Sequence, residues 1–105
     1  MSDAEIIYIT CKDKQEALNI SDQLLQAKLI ACSNIIDGMT SVFFWQDQVQ
    51  NNNEVVLILK TLSSHFKKIE DLVNKIHSYQ VPCIVSIPLS NCSEPYLQWI
   101  KEQIK

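Results

Sequence analysis

The chain contains a single glycine among its 105 residues, and it lacks several features that mark specialised classes of protein. No apolar run approaches the ~20 residues that a membrane-spanning helix needs, so we expect no membrane contact. The net charge is −3, and no basic cluster extends beyond Lys67-Lys68, which argues against a nucleic-acid-binding surface. With 47% hydrophobic and 20% charged residues, the composition is that of a globular protein.

The four cysteines include no Cys-x-x-C pair, which excludes zinc-ribbon and thioredoxin-type motifs. The first ten residues, MSDAEIIYIT, carry acidic residues where a secretory signal peptide needs basic ones. We therefore expect a cytoplasmic protein whose cysteines are free thiols. The length suits one domain, residues 1–105, and no repeat or linker is visible.

Hydrophobic periodicity predicts strands alternating with helices. The first helix is expected to begin near Asp13, which has capping-box spacing to Glu16. Ser63 or Ser64 is expected to cap the second helix, and Ser93 the third. The predicted strands are residues 6–10, 35–45, 54–61 and 83–89, and the helices lie within 11–31, 63–79 and 93–105.

Two sites compete for the turn between the second and third strands. Asp37-Gly38 is the better hairpin dipeptide, but a turn there would leave too short a strand before it. We therefore predict a bulge at Gly38 and a turn near Gln46-Asp47-Gln48, where Asp47 tolerates a left-handed conformation. This predicts an unusually long hairpin, with arms of about ten residues or more.

The order β-α-β-β-α-β with an added C-terminal helix is the split βαβ, ferredoxin-like α+β fold with a four-stranded antiparallel sheet. Both main helices then pack on one face of the sheet. The runs IIYI, VFFW and VVLIL are apolar on both faces, although a solvated face would show alternation. We expect a neighbouring chain to cover the second face; the alternative is that the C-terminal helix folds back over it.

Four motifs occur in order along most of the chain: ACSNIIDGMTSVFFW, EVVLILKT, HSYQVPCI and YLQWI. With them the sequence resembles the CutA divalent-cation tolerance family. The resemblance implies a ferredoxin-like homotrimer with a likeness to PII signalling proteins, and an association with copper(II) or another divalent cation. It implies no agreed enzymatic activity. The chain departs from the family pattern at Asp37, Asp47 and Ser78, and at Cys83, which replaces a glutamate.

Metal ligands are predicted where strand and helix ends meet. Borderline metals such as copper(II) accept imidazole and thiolate, which makes His77, Cys11 and Cys83 the candidate ligands. Cys11 follows the first strand, whereas His77 and Cys83 flank the connection from the second helix to the fourth strand. The alternatives are that His77 ends the second helix as a cap and that the cysteines are small buried apolar residues.

A second group of candidates comprises Trp45, Glu54, Lys60 and Tyr79. Lys60 ends an apolar strand, so its ammonium must reach solvent, pair with a carboxylate such as Glu54, or bind an anion. In the functional interpretation, these residues hold a small anionic ligand in a cleft between subunits. The aromatic members are equally compatible with ordinary packing.

The interpretation we favour is a non-enzymatic, trimeric metal-binding protein of divalent-cation tolerance. The alternative is a PII-like sensor that binds a small anionic ligand and signals to an unidentified protein partner. An enzyme is disfavoured because no Ser-His-Asp, metal-hydrolase or P-loop pattern is present.

Overall fold

The computed structural model describes residues 3–105, and its elements follow the predicted order. The strands are β1 (Ala4–Cys11), β2 (Cys32–Trp45), β3 (Gln48–Leu62) and β4 (Ile84–Pro88), and the helices are α1 (Lys14–Gln26), α2 (Phe66–Ile76) and α3 (Glu94–Gln103). The predicted α+β fold is thus confirmed. Within residues 3–105, no helix is long and apolar enough to span a membrane.

The four strands form one antiparallel sheet in the order β2-β3-β1-β4. Pro88 ends the edge strand β4, where its missing N–H interrupts no central ladder. One face of the sheet packs against α1 and α2, and the core between them is apolar. Its fully buried members include Ile7, Ile9, Leu57 and Leu59 from the strands, and Ile20, Leu24, Ile69 and Val73 from the helices.

At the start of α1, hydrogen bonds hold the Glu16 carboxylate in the interior of the protein. Asp13 is the N-cap, and its carboxylate accepts a hydrogen bond from the Glu16 N–H at 2.8 Å. Glu16 Oε1 in return accepts from the Lys12 N–H at 3.0 Å, one residue earlier than in the usual capping box. This reciprocal bonding turns the Glu16 side chain back towards the end of β1, where the residue is only 9% exposed.

The hairpin of β2 and β3 has arms of 14 and 15 residues, as its sequence predicts. The register shifts between Ile36 and Met39, and Gly38 has a φ of +82°, which confirms the predicted bulge. Gln46 and Asp47 form the turn, with φ values of +52° and +63°. Positive φ at both central residues is what a two-residue type I′ turn requires.

Replacing Asp47 with glycine is expected to stabilise the protein by about 0.5–1 kcal/mol, because glycine adopts positive φ without steric cost. Gly38→Ala should destabilise the protein by about 1–2 kcal/mol, because alanine adopts a positive φ only with steric strain. No atom lies within 4 Å of the added Cβ, so this cost comes from φ alone. Denaturant unfolding at one fixed protein concentration measures the change in the free energy of unfolding for both variants. A destabilised Asp47→Gly variant would contradict the turn assignment.

The predicted serine caps are only partly correct. Residues Ser63–His65 form a short 3-10 turn, and α2 begins at Phe66 with His65 as its N-cap, two residues after Ser63 and one after Ser64. The prediction for α2 is therefore wrong, and Ser64 Oγ lies 3.0 Å from His65 Nδ1 instead. Ser93 does occupy the N-cap position of α3, but its hydroxyl makes no capping hydrogen bond.

The second face of the sheet is mostly apolar and only partly covered. Its cross-strand rows are Cys32–Lys60–Ile6–Ile87, Asn34–Ile58–Tyr8–Val85 and Ile36–Val56–Thr10. Ile100 of α3 packs against one end of this face and is 1% exposed. Val85, Ile87 and Ile36 remain 49%, 50% and 53% exposed. The C-terminal helix thus covers one end only, and the rest of the face is free for another chain.

Candidate metal centre and adjoining cavity

Three potential metal ligands meet where β1, α1 and α2 end or begin. Cys11 is the last residue of β1, Glu16 lies in the first turn of α1, and His77 follows the last residue of α2. One ligand atom from each lies within 4.8 Å of the others. All three residues are 9% exposed or less. The fold therefore brings a thiol, a carboxylate and an imidazole together in one buried cluster.

Hydrogen bonds define the orientation and the tautomer of His77. Its Nδ1 accepts from the Tyr79 N–H at 3.0 Å, so Nδ1 carries no proton in this arrangement. Nε2 lies 2.9 Å from the Thr10 carbonyl oxygen and must donate its N–H to it. Nδ1 also lies 3.9 Å from Glu16 Oε2. A backbone carbonyl that holds the second ring nitrogen is a common support for a metal-binding histidine.

The protonation states of Glu16 and Cys11 differ. Burial raises the pKa of Glu16, but N–H donors outweigh that effect and lower the pKa overall. These donors are the backbone N–H groups of Lys12 and Ser78, the latter at 2.7 Å. Burial, followed by the negative charges of Glu16 and Glu54, raises the pKa of Cys11 to about 12. At neutral pH the cluster thus combines a carboxylate with a protonated thiol.

This donor set suits a borderline divalent cation. Imidazole and thiolate are ligands of zinc and copper, and a carboxylate can complete a site of this kind. Bonds of ~2.0–2.3 Å place neighbouring ligand atoms roughly 3.5 Å apart, so side chains now up to 4.8 Å apart must draw together by about 1 Å. Binding also has to displace the thiol proton and the Tyr79 N–H.

Sequence reasoning identified two members of the cluster and missed the third. Cys11 and His77 meet as predicted. His77 also occupies the C-cap position of α2, where its backbone N–H donates to the Val73 carbonyl; the favourable effect of a cationic side chain there stays untested. Cys83 does not join them: it lines the neighbouring cavity instead. Glu16 was assigned only a capping role. The sequence could have indicated that Glu16 joins the cluster, because a capping-box carboxylate turns back towards the preceding chain, here the end of β1.

A cavity of about 600 Å³ adjoins the cluster. It lies between the hairpin and the segment that joins α2 to β4, and its lining residues are Thr10, Ser41, Val42, Phe43, Trp45, Glu54, Tyr79, Gln80, Val81 and Cys83. The Tyr79 hydroxyl donates to Glu54 Oε2 at 2.6 Å. Burial and the Glu54 charge together raise the pKa of Tyr79. The Tyr79 ring also packs on His77, with centroids 4.7 Å apart, so Tyr79 connects the cluster to the cavity.

Within one chain, Lys60 lies apart from the other three candidate residues, so a cleft that holds all four between subunits stays a prediction. Trp45, Glu54 and Tyr79 line the cavity, but Lys60 does not. Its Nζ lies 5.7 Å from the centre of the Tyr96 ring, beneath α3. Within one chain the predicted Lys60–Glu54 pair is therefore wrong, because six residues of extended strand place the two side chains about 20 Å apart.

Comparison with known proteins identifies the family. Residues 5–103 match the family model described as CutA1 divalent ion tolerance protein. The chain belongs to the CutA1 family. It is 36% identical over 98 residues to the divalent-cation tolerance protein CutA of Thermus thermophilus, a match that covers 93% of this chain and 95% of that protein. The solved structure of CutA from Archaeoglobus fulgidus superposes with a TM-score of 0.94 at 37% identity, covering 97% of this chain and 99% of that one.

Some CutA relatives are longer and are assigned to different compartments. The chloroplastic CutA protein of Arabidopsis thaliana is 33% identical over 100 residues, which are 95% of this chain but 55% of that protein. The chain thus spans about half the length of this relative. The Archaeoglobus fulgidus protein is described as periplasmic. Since these two relatives are described in different compartments, the cytoplasmic location stays a prediction.

Proposed function

We propose that this CutA1-family protein binds a divalent cation, copper(II) or a similar borderline ion, as a non-enzymatic protein of metal tolerance. The observation that carries the proposal is the convergence of Cys11, Glu16 and His77 within 4.8 Å. Relatives named as divalent-cation tolerance proteins support a connection with metal ions. The names of these relatives state no enzymatic activity.

The residues of the cluster have separate tasks in this proposal. Glu16 supplies a carboxylate that is already ionised and held by two N–H donors. His77 offers Nδ1 while the Thr10 carbonyl holds Nε2. Cys11 contributes a soft thiolate once its proton has left, and the surrounding carboxylates favour the approach of a cation. Specificity then comes from the thiolate and imidazole, which hard ions such as magnesium accept poorly.

Cys11→Ala is expected to weaken binding of one cation per chain by about 100-fold or more, because it removes a ligand that no neighbour replaces. Cobalt(II) is a suitable probe, since ligation by a thiolate gives a sulfur-to-metal charge-transfer band. Native mass spectrometry of the same samples counts the bound ions. Cys92→Ala is the matched control: Cys92 is a partly buried thiol outside the cluster.

Glu16→Gln removes the charge and keeps only one of the two acceptor oxygens, so its amide nitrogen faces the N–H of Lys12 or of Ser78. It should therefore weaken metal binding, with a loss of stability of about 1–3 kcal/mol from the unsatisfied donor. If Cys11→Ala and Glu16→Gln both bind cobalt(II) as the unaltered protein does, the metal site lies elsewhere and the proposal fails. Loss of the charge-transfer band in Cys92→Ala would instead assign the thiolate ligand to the loop before α3.

We also propose that the protein assembles as a homotrimer, as the family resemblance implies. The exposed apolar second face supports contact with further copies, as does the projecting hairpin. Phe44 and Val42 near the hairpin tip are 74% and 68% exposed, more than a solitary chain would be expected to leave in water. A protein partner that responds to the bound metal remains a prediction.

A further inference from the structure

The buried cluster of Cys11, Glu16 and His77 reaches the surface through only one of its side chains. Cys11 is 0% exposed, and the side chain of His77 also has no exposed surface, whereas the Glu16 side chain keeps 7%. The cavity beside the hairpin is lined by none of the three. Glu16 is therefore the member of the cluster that an ion arriving from solvent meets first.

The exposed part of Glu16 lies in a groove of about 400 Å³ between the start of α1 and the end of α2. The groove is lined by Lys12, Asp13, Gln15, Glu16, Asn19, Ile76 and Ser78. This lining includes no residue of the hairpin. The two helices also cover the face of the sheet opposite to the one that we expect other copies of the chain to cover. Assembly through the second face therefore leaves the groove open.

Glu16 separates this groove from the two ligands behind it. Its Oε1 accepts from the Lys12 N–H at 3.0 Å and its Oε2 from the Ser78 N–H at 2.7 Å, and both donor residues line the groove. On the inner side, Oε2 lies 3.9 Å from His77 Nδ1. An ion that meets Glu16 in the groove is therefore one carboxylate away from the imidazole.

The charges of the groove suit the passage of a cation. Two carboxylates, Asp13 and Glu16, face one ammonium group, that of Lys12. Burial opposes the ionisation of Glu16, but the N–H donors outweigh it and lower its pKa, so the carboxylate is charged at neutral pH. Negative charge in a groove raises the local concentration of cations and the rate at which they associate. Gln15 and Asn19 are exposed polar residues, so the path to Glu16 stays hydrated.

We propose that metal ions enter and leave the cluster through this groove, past Glu16, an inference that rests on the proposed metal-binding function. On entry, Glu16 Oε2 exchanges the Ser78 N–H for the ion, and release reverses the exchange. An obstacle in the groove raises the barrier equally in both directions. It should therefore slow binding and release together and leave the affinity unchanged.

Asn19→Trp and Gln15→Trp each place an indole ring in the groove, at exposed positions of α1 where tryptophan has a helix propensity close to that of asparagine. Asn74→Trp is the matched control, because Asn74 is exposed on α2 outside the lining of the groove. Stopped-flow absorbance of the cobalt(II)–thiolate band gives the association rate, and transfer of the ion to excess chelator gives the dissociation rate. We expect both rates to fall about tenfold in the two groove variants and to stay unchanged in Asn74→Trp.

Equilibrium titration with cobalt(II) separates this inference from the function on which it rests. If the unaltered protein forms no saturable thiolate band, the metal site itself is wrong, and the route is wrong with it. If the site binds cobalt(II) but both groove variants keep the unaltered rates, only the route is wrong. The route is also overturned if Asn74→Trp slows binding as much as the groove variants do, or if these variants lose affinity without slower release.

Discussion

Metal affinity is expected to rise about tenfold for each unit of pH from about pH 6 to about pH 8. The reason is the thiol of Cys11, whose pKa is raised to about 12, first by burial and then by nearby carboxylates. The thiol is protonated in the free protein throughout this range, and the complex contains a thiolate. Each binding event therefore releases one proton, which favours binding as pH increases. In the hydrogen-bonded arrangement His77 Nδ1 accepts from the Tyr79 N–H, so ligation through Nδ1 releases no proton.

Isothermal titration of zinc(II), repeated in buffers of different ionisation enthalpy, measures both the slope and the number of protons released. Cys11→Ala serves as the control: its residual binding should lose this slope, because the titrating group is gone. A flat affinity profile in the unaltered protein, with no proton released, would show that Cys11 does not ligate the metal. A slope of one that persists in Cys11→Ala would assign the proton to another residue.

Much of the backbone could be predicted because its signals are local. The bulge at Gly38 follows from the only glycine in the chain, and the turn at Gln46-Asp47 follows from the strand length that each alternative would leave. The start of α1 at Asp13 follows from capping spacing. In each case the signal lies in one continuous stretch of sequence, so tertiary contacts did not need to be known.

The candidate site was predictable only in part, because it depends on distances between elements. Cys11 and His77 could be paired, since strand and helix ends meet at one edge of this fold. The burial of Glu16 was missed because the same carboxylate satisfies both a local cap and the distant Ser78 N–H. The separation of Lys60 from Glu54 within one chain was predictable, because six residues of strand span about 20 Å. Their shared cleft between subunits stays a prediction.

Tyr79 contacts both the metal cluster and the adjoining cavity. Its backbone N–H donates to His77 Nδ1, and its hydroxyl donates to Glu54 Oε2. A metal ion that takes Nδ1 must displace the backbone bond, and this moves the residue that also shapes the cavity. Ligation of a metal by His77 Nδ1 is therefore expected to shift Tyr79, which contacts both the metal cluster and the cavity.

Val85→Asp is expected to dissociate the proposed trimer while leaving each chain folded. In a single chain Val85 is 49% exposed on the second face of edge strand β4, so an aspartate there stays hydrated. In an assembly that covers this face, the same carboxylate is buried without a partner, at a cost of about 3–5 kcal/mol per contact. Association should therefore weaken by about 100-fold or more.

Ser86→Asp is the matched control, because it adds the same charge to the same strand one residue later, on the opposite face. Sedimentation velocity and native mass spectrometry should show a trimer for the unaltered protein and for Ser86→Asp, but monomers for Val85→Asp. Circular dichroism confirms that the monomers keep their sheet. Trimers in both variants would place the interface away from β4, and monomers in both would attribute dissociation to charge on the strand in general. Loss of the trimer in Val85→Asp alone would show that the apolar rows of the second face form the interface.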